Sequence, residues 1–159
     1  MASTQKRLEK EFHGLRKTPA NGYQVELKYG EIFEWLGSLT GLQNSAYEGG
    51  TFNFHLQFTD AYPEKPPTLK FTTKIYHPNV DGRTGAVSWK MLGEDWHHNH
   101  TVERVLIGLR TLLDHPELES AVEVDIANEY ANSRKEFEKH AKEWTERCAM
   151  EGSASSGFT

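Results

Sequence analysis

The sequence predicts a single α+β domain: one helix, a four-stranded antiparallel meander, a long irregular segment, then three helices. Two observations carry this. Period-two alternation of large apolar residues is confined to about residues 23–73, and the helical period is confined to the two ends. A third is the gap between them. Nothing periodic runs from about Lys74 to His100, and a compact domain rarely keeps so long an irregular segment unless it acts there. Within it, His77–Trp89 is the stretch to examine, with Asn79 and Ser88 its two most telling positions.

Taken in order, Ser3 or Thr4 is placed to cap a first helix whose Leu8, Phe12 and Leu15 recur at i, i+4, i+7, and Pro19, Asn21 and Gly22 end it. Tyr23, Val25, Leu27 and Tyr29 alternate up to Gly30; Phe33, Trp35 and Leu39 alternate up to Thr40-Gly41. The cleanest alternation is Phe52, Phe54, Leu56 and Phe58, in which a one-residue slip would expose four large side chains. Tyr62-Pro63-Glu64-Lys65-Pro66-Pro67 is locked by prolines and lies outside the sheet. Leu69, Phe71 and Thr73 make the fourth strand. Short connections and strict alternation imply a meander with one buried face. From Thr101, Val102, Val105, Leu106, Leu109, Leu112 and Leu113 form the widest apolar helical face, which should cover the sheet. Asp114-His115-Pro116 stops that helix. Ser120 with Glu123, and Ser133 with Glu136, read as capping boxes. The first precedes a helix bearing Val124, Ala127 and Tyr130, the second a helix bearing Phe137, His140, Ala141 and Trp144. Residues 4–150 are thus the predicted domain and 151–159 a mobile tail.

The apolar and charged fractions are those of an ordinary globular chain, and no apolar run reaches membrane-spanning length. The first residues lack an apolar core, which predicts no secretory leader. The single cysteine, Cys148, excludes an internal disulfide and suits a reducing cytoplasm or nucleus. A formal charge of −5 argues against nonspecific nucleic-acid binding. The charge is uneven, however. Residues 1–17 carry Lys6, Arg7, Lys10, Arg16 and Lys17 against Glu9 and Glu11, a balance of +3 that leaves −8 elsewhere. A basic first helix can dock an acidic protein surface, or can be merely a solvated face.

The order Tyr62-Pro63-x-x-Pro66-Pro67, His77-Pro78-Asn79, Gly85-x-Val87, then Trp96 before a long helix resembles the signature of ubiquitin-conjugating enzymes. Gly49-Gly50 before the third strand and Trp144 in the last helix match as well. The resemblance spans about Lys6 to Met150. It implies an enzyme that takes ubiquitin or a similar modifier from an activating enzyme as a thioester on one cysteine. The modifier then passes to a lysine of a protein substrate, or to a ligase. No cofactor and no membrane partner are implied, and a monomer is expected. By the same resemblance the cysteine falls three residues after the glycine, where this chain has Ser88. Asn79 supports the oxyanion of the transfer step or the loop that holds the site; the alternative is a turn residue bonding its own backbone. His77 and Pro78 lock the turn, and Tyr76 lines the site. Glu119 matches an acidic gate that orients the incoming lysine, or is an exposed carboxylate near a helix N-terminus.

Ser88 alters the chemistry. A thiol ionises near pH 8.5 and is readily activated, whereas a hydroxyl needs an adjacent base, and none is identifiable in the sequence. An oxyester on Ser88 would resist amines better than a thioester, so the chain is expected to transfer poorly. Two explanations compete: a directed Cys-to-Ser change in an active enzyme, with Cys148 untouched, or a natural inactive relative kept for binding. Inactive members often lack the last helices, and this chain has them. Other departures bear on partners. Lys90 stands where many members carry an acidic residue. Glu64 replaces an often aromatic ligase contact, and His97-His98-Asn99-His100 replaces a second ligase-binding loop. Lys6, Arg7 and Lys10 match the basic helix that meets the activating enzyme. Three imidazoles in four residues invite a zinc reading, but adjacent His97 and His98 are expected to diverge, and no metal is predicted.

Overall fold

The computed structural model describes residues 2–17 and 22–150; Pro19, Asn21 and the proposed tail 151–159 lie outside the described residues. The element order is α1 (Ala2–Lys17), β1 (Tyr23–Lys28), β2 (Glu31–Thr40), β3 (Thr51–Gln57), β4 (Thr68–Phe71), α2 (Val102–Asp114), α3 (Val124–Asn132) and α4 (Arg134–Cys148). The four strands pair antiparallel in sequence order, as a meander must.

The register follows from alternation. Tyr23 and Val25 on β1 pair with Leu39 and Gly37 on β2, which pair in turn with Phe52 and Phe54 on β3; Trp35 pairs with Leu56. These residues share one face, and the large ones are buried with Leu69 and Phe71 of β4. Leu8, Phe12 and Leu15 bring α1 onto that face, with Phe12 edge-on to Trp35 at 5.2 Å. All six predicted apolar residues of α2 are buried, and all but Val105 belong to the same core. Phe137, Ala141 and Thr145 bury one side of α4, and Thr51 N–H donates to the Ala149 carbonyl, tying the end of α4 to β3.

Gly37, in the middle of β2, is a position on this face where a side chain does not fit. A Cβ there would penetrate the Phe54 ring and crowd the Gln24 carbonyl. Gly37→Ala is therefore expected to lower unfolding stability by about 1–3 kcal/mol, the usual range for overpacking, measurable by urea denaturation.

Several local expectations change. Tyr29 does not continue the β1 alternation. The β1–β2 register breaks after Leu27, and Tyr29 and Gly30 turn the chain with φ of 53° and 72°, leaving the Tyr29 ring 96% exposed. Ser3 and Thr4 lie inside the first turn of α1 rather than before it. The buried Thr4 hydroxyl lies within hydrogen-bonding distance of the Asp60 and Tyr62 carbonyls (3.1 and 3.0 Å), across the connection to β4. Neither capping box forms. Ser120 ends a short 3₁₀ turn over Leu118–Ser120, and Glu123 sends its carboxylate to the Gly82 N–H at 2.6 Å. Ser133 does occupy the N-cap of α4 but makes no capping bond there. Val124 is exposed; Ile126 and Tyr130 are the residues of α3 that meet the core.

Candidate functional site

The segment without period is organised by hydrogen bonds that no strand pattern signals. After β4 the chain enters the core through Ile75, His77, Pro78, Asn79 and Val80, all buried, and reverses over Asp81–Gly85. The Asp81 carboxylate accepts from the Arg83 and Thr84 N–H groups at 2.8 and 2.9 Å. Those bonds hold its pKa below the ordinary carboxylate value, and Gly85 takes the left-handed φ of 79° that closes the turn. Ala86 and Val87 return along β4. Phe71 N–H donates to Gly85, Val87 N–H to Leu69, and Val80 bridges Val87. The result is a short hairpin carrying Asn79 on one arm and Ser88 on the other.

Asn79 ties that hairpin to the chain before α3. Its backbone carbonyl accepts from Ser88 N–H at 2.8 Å. Its side-chain amide donates to the Ser88 carbonyl (3.1 Å) and the Glu117 carbonyl (2.8 Å), while its Oδ1 accepts from Glu117 N–H (2.9 Å). Both amide hydrogens are thus committed, and the side chain bridges to a neighbouring segment rather than to its own turn. The Pro78 carbonyl fastens the same segment by accepting from Val122 and Glu123. His77 holds the arm from behind. Its Nδ1 accepts from Asn79 N–H (3.0 Å), which places the hydrogen on Nε2 facing the Leu112 carbonyl at 2.9 Å. Full burial pushes its pKa down to about 4, against the smaller opposing effect of the carbonyls of Leu112 and Leu113.

Ser88 is half-buried, and among the described residues no imidazole, carboxylate or amine hydrogen-bonds its hydroxyl. The residue after it, Trp89, lays its ring over Gly108 of α2, where a Cβ would meet the ring at 3.1 Å. Lys90 N–H donates to the Glu117 carboxylate at 2.9 Å. The Lys90 ammonium pairs tightly with Glu119 and lies 3.6 Å from Glu94. Its bond with Glu119 raises the Lys90 pKa and lowers that of Glu119. The structure therefore brings Ser88, Asn79, Lys90 and Glu119 together, and adds Glu117, which nothing in the sequence distinguishes from other acidic residues.

Tyr76 is directed elsewhere. Its ring packs against Phe137, His140 and Trp144 of α4, and its hydroxyl donates to Glu129 at 2.7 Å. It fastens the last helix to the hairpin's root, and the Tyr47 hydroxyl donates to its carbonyl.

The residues picked out for partner contact form a second surface. Trp96 Nε1–H donates to the Pro63 carbonyl, and the Tyr62 hydroxyl donates to Glu11. Arg7 donates to the carbonyls of His98 (3.3 Å) and His100 (3.0 Å), so α1, the proline connection and the 97–100 loop are bound into one unit. Lys6, Lys10, Glu64 and His97 are exposed on these elements, while Arg7 is spent internally. His97 and His98 do not diverge as expected; their rings stack at 4.3 Å because the loop turns tightly through backbone bonds to His97 and His100. Among the described residues no three His, Cys, Asp or Glu side chains are grouped to hold a metal ion.

A four-stranded meander covered by α1 and α2, with an asparagine-pinned hairpin presenting one residue beside an acidic rim, defines a scaffold built to hold a single side chain at its surface. Comparison with known proteins agrees. The family description "ubiquitin-conjugating enzyme" matches residues 7–145. A ubiquitin conjugating enzyme E2 B of Dictyostelium discoideum is 36% identical over 144 residues, covering 91% of this chain and 97% of the relative. The chain belongs to the ubiquitin-conjugating enzyme family.

Proposed function

We propose that the protein is a ubiquitin (or ubiquitin-like modifier) conjugating scaffold whose acceptor position is Ser88, competent in frame and poor in turnover. The observation that carries this reading is the fixation of half-buried Ser88 on both sides of its backbone by Asn79, with no base bonded to its hydroxyl among the described residues. Asn79 acts here chiefly by holding the loop, since both its hydrogens are already engaged. Glu119 belongs to the approach of an acceptor lysine. Lys6, Lys10, Glu64 and His97 belong to the surface offered to activating enzyme and ligase.

A hydroxyl attacking an activated carboxyl terminus gives an oxyester: the Oγ–C bond forms, the thiolate of the donor leaves, and the hydroxyl proton must go to solvent for want of a neighbouring base. A thiol at the same position ionises far more readily. With ubiquitin, activating enzyme and ATP, Ser88→Cys protein is expected to form an adduct cleaved by reducing agent. The Ser88 protein should give none, or a trace resistant to thiols and cleaved by hydroxide. Failure of Ser88→Cys to load with any of several modifiers overturns the reading.

The closed Lys90–Glu119 pair beside Ser88 favours a second reading, a natural non-catalytic variant that binds ubiquitin or a catalytic relative. It predicts a stable complex and no gain of loading in Ser88→Cys.

A further inference from the structure

We infer that Lys90 is a built-in competitor for the amine that would approach position 88, and so sets acceptor selectivity. This rests on the transferase reading above.

Three carboxylates rim the site beside Ser88. Glu117 is fixed by its bond from Lys90 N–H, Glu94 stands four residues beyond Lys90, and Glu119 rides the 3₁₀ turn that Asn79 ties down. Leu118 and Val122, on the same stretch, are exposed. Such a rim suits a lysine, whose ammonium would settle on the carboxylates. In this chain the settling place is taken. The Lys90 ammonium occupies Glu119 and faces Glu94, and it is tethered two residues from position 88, so it need not be recruited from solution. A free or protein-borne lysine must displace it. A neutral nucleophile has no such competitor.

The group transfer itself is ordinary. A neutral amine attacks the carbonyl carbon, the new C–N bond forms, the C–S or C–O bond breaks, and the amine proton is lost to solvent. Lys90 acts before that step, at capture.

The test uses the full chain carrying Ser88→Cys, loaded with ubiquitin and then freed of activating enzyme. Discharge is followed with free L-lysine and, separately, with hydroxylamine, which is neutral at pH 7.5. Adding Lys90→Met is expected to lower the half-saturating lysine concentration about three- to fivefold, the range of an exposed ion pair, and to leave hydroxylamine discharge unchanged. Lys90→Arg, which keeps the charge and the reach, should behave like the parent. The gain should shrink in 0.5 M salt, where exposed charges are screened. Equal lysine half-saturation with and without Lys90, equal acceleration of both nucleophiles, or an isopeptide on Lys90 itself found by peptide mass spectrometry would each overturn the inference while leaving the transferase reading intact. No loading of Ser88→Cys at all overturns that reading and the inference with it.

Discussion

Asn79→Ala is expected to destabilise the protein by about 2–4 kcal/mol, among the larger single-residue effects outside the apolar core. Asn79 is fully buried, and its side chain bonds the Ser88 carbonyl, the Glu117 N–H and the Glu117 carbonyl, the last of which also accepts from Ser120 N–H. Alanine removes that partner from all three; the Glu117 carbonyl keeps its bond from Ser120 N–H, and each group left orphaned in a partly dry setting costs about 1 kcal/mol or more. Asp in its place would keep the acceptor for Glu117 N–H but set a carboxylate oxygen against two carbonyls, so it should rescue little. The check is urea unfolding of the two variants, with amide exchange at Glu117 read alongside. Exchange there should accelerate beyond the global loss, because the 3₁₀ turn is released from the hairpin. A change below about 0.5 kcal/mol, the size seen at ordinary surface positions, would mean that Asn79 is only a turn residue.

His77 supplies the second large effect, and its sign follows from burial. The folded state keeps the imidazole neutral down to about pH 4, whereas the unfolded chain takes its proton near 6.5. Between those values the unfolded state binds more protons, so stability falls as the pH drops through that window and is fully present above it. The full span corresponds to about 3 kcal/mol. The lowered carboxylates Asp81, Glu119 and Glu129 lose their contributions only at still more acid pH, below their ordinary value of 4.5 or less. Urea unfolding at pH 6.8, 5.5 and 4.5 should therefore show a steady decline in a range where these carboxylates stay charged. Imidazole nitrogen shifts should show His77 of the folded protein neutral, with hydrogen on Nε2, at pH 6.8 and 5.5. Flat stability across this range, or titration of His77 near 6.5, would contradict the account.

The legible and illegible parts of the molecule divide by the range of the interaction. Alternation along Phe52–Phe58 and the apolar face of α2 are local periodic signals, and the core assembles from them as read. Tyr29 broke its pattern because a two-residue turn needing positive φ overrode alternation, and the Gly30 beside it was the available sign. The first capping box, Ser120 with Glu123, failed because Glu123 had a better partner 41 residues away in Gly82. The hairpin at Asn79–Ser88 left no period because it pairs by isolated bridges rather than by a ladder. Glu117 and the Lys90–Glu119 pair join residues 27 to 38 positions apart, a juxtaposition that only the fold creates. Lys90 stands out in the sequence as an odd charge, and its contacts with Glu119 and Glu94 exist only in the fold.

We propose that the frame around position 88 is intact and that the side-chain atom it presents limits transfer. Loading of the Ser88 protein and of Ser88→Cys, measured side by side with ubiquitin, activating enzyme and ATP, tests it most directly. The account predicts a thiol-labile adduct on Ser88→Cys formed on the order of a hundredfold faster than any adduct on Ser88. Equal rates for the two proteins, or no adduct on either, would contradict it.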